Sequence, residues 1–255
     1  MKELERKNAI VTGARTGICR AVVEAYAKEG CNVWAVVHRD DNQFISDMNT
    51  IAQDCGVWIK VVKMNLEDEE DIKRGMREIT ADKLPIDILV NGAGVTSPSR
   101  LIVMTSLKDM HRVMQVNFFA AVQMSQLVSK VMLRQKSGSI INIASIAGID
   151  GDLSQLEYGA SKAALICATK KMAYEWGDFN IRVNEVAPGL IETKMLSEME
   201  SKVVDELVRK TSLHRVGQPE EIAQLCIFLG SDRSSYISSQ TIRIEGGGYK
   251  FRFHI

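Results

Sequence analysis

Asn8-Ala-Ile-Val-Thr-Gly-Ala-Arg-Thr-Gly-Ile18 decides the fold. Its first five residues are a short apolar run closed by a glycine, the pattern of a buried strand. Gly13-Ala-Arg-Thr-Gly17 is a glycine-punctuated turn, and Ala21 to Lys28 carries helical periodicity. A strand, a tight turn and a helix amino terminus in succession bring unpaired backbone N–H groups and the positive end of a helix dipole to one point, which favours a phosphate. Gly13 permits the turn and Gly17 lets backbone approach the ligand. Taken alone, the stretch is equally compatible with an ordinary βα loop.

Outward from that turn, β-type runs at about 8–12, 32–37, 57–64, 87–91, 139–144, 181–186 and 241–244 alternate with longer helical patterns, the signature of βαβ units and a parallel sheet. Only four prolines occur in 255 residues, with no low-complexity linker and no repeat period, so residues 1–255 are expected to form one α/β domain. A composition 45% hydrophobic and 25% charged is that of a globule with a sizeable core. Lys+Arg and Asp+Glu are equal at 32 each, giving a net charge of +0; no global field recruits nucleic acid or an anionic membrane. The charged start, Met1-Lys-Glu-Leu-Glu-Arg-Lys7, lacks the apolar core of a signal peptide, and no run reaches the ~18 apolar residues of a membrane span. A cytoplasmic location is expected. The five cysteines, Cys19, Cys31, Cys55, Cys167 and Cys226, are scattered and accompanied by no histidine cluster. They are expected to be buried small hydrophobes, with no zinc site or disulfide framework.

Tyr158-Gly-Ala-Ser-Lys162 supplies candidate chemistry. Residues four apart on a helix share a face, and an ammonium within about 4–6 Å of a phenol lowers its pKa from about 10, making it a proton donor near neutrality. Such a pair also arises by chance on many helices. Ser145 follows the strand-like run Ser139-Ile-Ile-Asn-Ile-Ala144, so its hydroxyl is expected at the carboxyl edge of the sheet, where open parallel sheets hold ligands. A serine after a strand also caps turns.

Thr12-Gly-Ala-Arg-Thr-Gly-Ile18, Asn91-Gly-Ala-Gly94, Asn117, Ser145, Tyr158 and Lys162 together resemble the short-chain dehydrogenase/reductase family along essentially the whole chain. The resemblance implies a Rossmann-type, doubly wound α/β/α sandwich with a seven-stranded parallel sheet and a nicotinamide dinucleotide cofactor. It implies a catalytic tetrad of Asn117, Ser145, Tyr158 and Lys162. Ser145 and Tyr158 would meet the substrate, Lys162 the ribose, and Asn117 would hold a relay water. Gly13, Arg15, Thr16, Gly17 and Ile18 would form the cofactor turn. Asn91, Ala93 and Gly94 form the second glycine motif, Asn65 with Leu66 would border adenine, and Pro188, Gly189, Ile191 and Thr193 would hold the nicotinamide. Two positions depart from the family pattern: Cys19 replaces the third glycine of the cofactor turn, and Gly92 stands where a second asparagine is common. A slightly displaced helix is expected from the first.

The second strand ends Val36-Val-His-Arg39, without the acid that binds the ribose 2′-OH of NAD. Arg39, with His38 and Arg15, offers cations to a 2′-phosphate, so NADP(H) is favoured over NAD(H). Alternatively Arg39 is a solvated charge, neutralised by Asp40 and Asp41. Leu190 to Met199 and the run through Val203, Val204 and Leu207 would cover the substrate, or else form an ordinary packed helix. Within the family the chain most resembles 3-oxoacyl-[acyl-carrier-protein] reductases, on Asn184-Glu-Val-Ala-Pro-Gly-Leu-Ile-Glu-Thr193 and Tyr236 to Gly248. Of two basic positions that receive the carrier protein in that group, Lys136 is retained and Phe179 stands at the other. The implied activity is metal-free, NADP(H)-dependent interconversion of a carbonyl and a secondary alcohol, most closely on a 3-oxoacyl thioester. Sugar-alcohol or steroid dehydrogenation, and a non-catalytic redox sensor or scaffold, are the alternatives. Long helices at about 107–136 and 155–178 would pair between subunits into a homotetramer, with a dimer next. The apolar tail Tyr249 to Ile255 would join a second contact or fray.

Overall fold

The computed structural model describes residues 2–151, 155–197 and 199–248; the tail expected to meet a neighbouring subunit lies outside them. Seven parallel strands form one sheet in the order β3-β2-β1-β4-β5-β6-β7. They are β1 (Asn8–Thr12), β2 (Asn32–Val37), β3 (Ile59–Lys63), β4 (Ile88–Asn91), β5 (Gly138–Ile143), β6 (Ile181–Pro188) and β7 (Thr241–Ile244). The chain moves outward from β1 to β3, then returns to place β4 on the other side of β1. That reversal opens a crevice beyond the carboxyl ends of β1 and β4.

Among the described residues, ten α-helices flank the sheet: α1 (Gly17–Lys28), α2 (Asn42–Cys55), α3 (Glu69–Ala81), α4 (Leu107–Met114), α5 (Ala120–Gln135), α6 (Ala147–Asp150), α7 (Leu156–Trp176), α8 (Lys194–Ser197), α9 (Ser201–Lys210) and α10 (Pro219–Gly230). Strand side chains alternate between two cores. Ala9 and Val11 pack with Val22 of α1, Met48 of α2 and Ile222 of α10. Ile10 packs with Ile72 of α3, Met124 of α5 and Met172 of α7. The central strands are covered on both faces, so β1, β2 and β4 read as largely apolar runs, whereas the edge strands β3 and β7 carry exposed polar residues.

The strand expectations hold within two residues at each end. The helix expected over 107–136 is continuous but not uniform: Gln115–Phe119 forms a π-helical turn between α4 and α5. The expected burial of all five cysteines needs correction, because Cys19, Cys31 and Cys226 are buried while Cys55 is partly exposed and Cys167 exposed. Cys167 lies on the outer side of α7, away from the face that covers the sheet.

Candidate active site

The β1–α1 turn stands at the sheet's carboxyl edge. Gly13 and Gly17 take φ of +73° and +60°, left-handed values that side chains resist. A Cβ on Gly13 would approach the Ala93 Cα to 2.8 Å, and one on Gly17 would approach Thr193 Cγ2 to 3.3 Å. The two glycine motifs and the Thr193 segment therefore converge on one cradle. Thr16 occupies the N-cap of α1 without a side-chain capping bond, whereas Asp41, Asp68 and Ser106 cap α2, α3 and α4. The first N–H groups of α1 are left for an outside acceptor, which the dipole favours as an anion; the residues present fit a dinucleotide phosphate. Ile18 anchors this turn against the core.

His38 and Arg39 are exposed at the end of β2. Asp40 pairs with Lys63 at 2.8 Å, and Asp41 pairs with Arg15 at 3.2 Å. The two acids thus serve other cations than Arg39, but Arg15 is partly neutralised. The Phe44 N–H, and then Arg15, hold the Asp41 carboxyl below its usual range. Asn65 shapes the turn after β3: its Oδ1 accepts from the Glu67 N–H at 3.0 Å and its own N–H donates to Asp71 at 2.6 Å. Leu66 packs against the second core. The Asn91 side chain faces into the sheet, with Nδ2 within bonding distance of Asn142 Oδ1 and Ser125 Oγ, both 2.9 Å. A contact between Asn91 and a cofactor would have to come from its backbone.

At the end of β5 the chain turns through Ser145, whose Oγ accepts from the Ala147 N–H at 3.2 Å. The same hydroxyl stands beside the Tyr158 phenol, where its hydrogen bonding favours the phenolate, so Ser145 both shapes the turn and borders the phenol. Lys162 is buried; its Nζ donates to the Ile143 carbonyl at 2.7 Å and lies 5.8 Å from the centre of the Tyr158 ring. Gly94 borders both Lys162 and Asn117, since a Cβ there would sit 3.6 Å from Lys162 Nζ and Asn117 Oδ1. Asn117, buried in the π turn, accepts from the Val95 N–H at 2.8 Å and donates to the Val95 carbonyl and Ser161 Oγ, each at 3.0 Å. Both protons of its amide are therefore donated to protein groups. Ser161 in turn donates to the Tyr158 carbonyl at 2.7 Å.

The electrostatics correct one expectation. Burial pushes the Tyr158 phenol above its ordinary value, and the Ser145 hydrogen bond only partly opposes this. Lys162 does not reverse the shift, because its ammonium lies by the ring and bonds the Ile143 carbonyl. Burial also lowers Lys162 to about 8, against the opposing pull of Glu185.

The segment from Pro188 to Thr193 is held at three places. The Pro188 carbonyl accepts from the Ile146 N–H at 3.1 Å, the Gly189 N–H donates to the Ile244 carbonyl at 3.0 Å, and buried Ile191 bridges to Gly217. A Cβ on Gly189 would lie 2.7 Å from Glu245 Cβ. Thr193 Oγ1 donates to the Ile191 carbonyl at 3.4 Å. Beyond this segment no residue of α9 is buried, and Met195, Met199 and Val203 are exposed.

Sequence reasoning missed Thr12 and Ser161 as supports. The Gly92 and Ala93 N–H groups donate to Thr12 Oγ1 at 3.0 and 3.2 Å, tying the two glycine motifs together; its only signal was a hydroxyl ending an apolar strand. The two departures also explain each other. A Cβ at position 92 would collide with Cys19 Sγ, so Gly92 supplies the room that Cys19 fills.

This arrangement is that of a nicotinamide-dependent oxidoreductase, and a family model described as Enoyl-(Acyl carrier protein) reductase matches residues 13–249. The chain belongs to the short-chain dehydrogenase/reductase family. It is 37% identical over 244 residues to the 3-oxoacyl-[acyl-carrier-protein] reductase FabG of Thermotoga maritima, covering 96% of this chain and 98% of that one. It is 34% identical to Nodulation protein G of Rhizobium meliloti, covering 97% and 98%. A crystal structure of 3-oxoacyl-[acyl-carrier protein] reductase from Brucella melitensis superposes with a TM-score of 0.88 at 27% identity, covering 98% of this chain and 93% of that one.

Proposed function

We propose that this protein reduces a 3-oxoacyl thioester to the 3-hydroxy compound with NADPH. The observation that carries the reading is the Ser145–Tyr158 contact beside buried Lys162 at the open sheet edge, in a chain whose relatives include reductases of that name. The unpaired N–H groups of α1, with Gly13 and Gly17, would receive the pyrophosphate. Arg39 and His38 would receive a 2′-phosphate, and Thr193 the carboxamide. A bound nicotinamide supplies the hydride. Ser145 Oγ–H holds the substrate carbonyl oxygen, and Tyr158 passes its phenolic proton to that oxygen as negative charge develops there. The raised phenol keeps that proton available at neutral pH. Lys162 stabilises the phenolate left behind, and Asn117 fixes the Val95 loop and, through Ser161, the backbone of Tyr158.

The α8–α9 segment, with its exposed methionines, suits a cover that shields the reaction from water. Lys136, at the end of α5, is kept as one basic contact for an acidic carrier protein. The exposed Phe179 favours a second reading, in which the substrate is a small free secondary alcohol or ketone. NADPH oxidation measured with acetoacetyl thioesters, sugar ketones and steroid ketones separates the two; thioester turnover is expected, and turnover of free ketones alone would reject the first reading.

A further inference from the structure

A buried polar layer lies just beneath the reacting groups. Asn91 is in register with Asn142, Asn142 with Glu185, and Glu185 with Thr241. Side chains in register on neighbouring strands share a face. The Asn142 Nδ2 donates to Thr169 Oγ1 of α7 at 2.8 Å, so this is the face that α7 covers, and Glu185 is turned toward the same helix. Lys162 precedes Thr169 by seven residues, about two helical turns, and its bond to the Ile143 carbonyl joins it to the residue after Asn142. Glu185 is fully buried; its Oε2 accepts from Thr241 Oγ1 at 3.3 Å, while its buried Oε1 has no partner among the described residues. A half-satisfied carboxyl in a sheet interior is destabilising, and an aliphatic side chain there would avoid the cost.

We propose that Glu185 is a positioning residue for Lys162: its carboxylate, when ionised, holds the lysine as a cation and so sets the pH range over which Tyr158 can give up its proton. The inference rests on the assignment of Tyr158 and Lys162 as the reacting pair. Facing Glu185 are the Asn142 amide from β5, the Thr241 hydroxyl from β7, and Lys162 and the more exposed Lys170 from α7. Facing Lys162 are Glu185, Tyr158 and Cys19 of α1, whose thiol is pushed up to about 12 by burial and stays neutral. Burial raises Glu185 to about 8 and lowers Lys162 to about 8, each opposed by the charge of the other. As pH rises through that value, Glu185 ionises where Lys162 would otherwise lose its proton. The acid therefore extends the cationic range of the lysine upward.

The test is Glu185→Gln, which keeps the shape and removes the ionisation, with Glu185→Val as an apolar companion that needs no hydrogen bond. Both should move the alkaline limb of the kcat/KM profile to lower pH, by about half a unit or more, with little change in cofactor affinity at pH 6.5. A second readout needs no turnover. With its folded pKa raised from 4.5 to about 8, Glu185 contributes stability that is fully present below pH 4.5 and lost as pH rises to about 8. Lys162, lowered from 10.5, contributes in the opposite sense, only above about 8. The Tm of the cofactor-free protein should therefore fall between pH 5 and 8, and both variants should flatten that fall. An alkaline limb superimposable on that of the wild type in either folded variant overturns the proposal. Tyr158→Phe measured alongside separates the cases: if it stays fully active, the underlying assignment fails, whereas an inactive Tyr158→Phe with an unmoved Glu185→Gln limb rejects only the role of Glu185.

Discussion

At the scale of single residues, the site depends on a phenol that burial keeps protonated and a hydroxyl placed to share its work. Tyr158→Phe removes the proton donor and little contact area, so turnover should fall on the order of 10²–10⁴-fold while fluorescence titration shows nearly unchanged cofactor binding. Packing gives a second prediction. Gly92→Ala drives a methyl group into Cys19 Sγ and should destabilise the protein by about 1–3 kcal/mol, as overpacking does. Combining it with Cys19→Gly should recover most of that loss, and a thermal-denaturation cycle across the four proteins measures the coupling. Spacing placed Tyr158 and Lys162 on one helix face and Ser145 at a strand end, while their proposed roles came from the family resemblance. The direction of the Tyr158 shift was not legible in the sequence, because it depends on how deeply the ring is buried and on where Lys162 spends its bond. Likewise, Cys19 and Gly92 are separate departures in the sequence, and only tertiary contact joins them.

Among the elements, the β2–α2 connection carries the proposed preference for NADPH. With Asp40 bound to Lys63 and Asp41 to Arg15, the Arg39 guanidinium is left to meet a phosphate through a charge-assisted fork. KM for NADPH is expected well below that for NADH, and Arg39→Asp should narrow or reverse the ratio. Equal kcat/KM for the two cofactors in the wild type would reduce Arg39 to a solvated charge. The central strands were readable because burial on both faces makes them largely apolar. The π turn at Gln115–Phe119 was not, since its residues fit an ordinary helix and only the contacts of Asn117 with Val95 and Ser161 reveal why the winding changes there. The α8–α9 segment could not be decided from its amphipathic pattern, because a cover and a packed helix carry the same periodicity; the absence of buried residues in α9 comes from its position beyond the sheet edge.

For the whole molecule, a parallel sheet follows from alternating strands and helices and its seven-stranded order from the family resemblance, but the subunit number does not follow from the alternation. Val103, Phe119 and Tyr174 are exposed at 91, 53 and 73%, on or near the long helices expected to pair between copies. Light scattering at micromolar concentration should give a tetramer, with a dimer next, and a monomer would refute the assembly. The amino-terminal segment is fastened by Glu3 to Arg233 at 2.6 Å and Lys7 to Asp232 at 2.7 Å, at the end of the sheet where β1 begins. The five residues of β1 carry the chain about 16 Å at roughly 3.3 Å per residue before it reaches the cofactor turn, whereas β7 delivers its last residue to the reactive edge itself. A fusion partner or immobilising handle attached before Lys2 would thus leave the catalytic rim facing outward, while one grafted just after Ile244 would stand in the substrate's path.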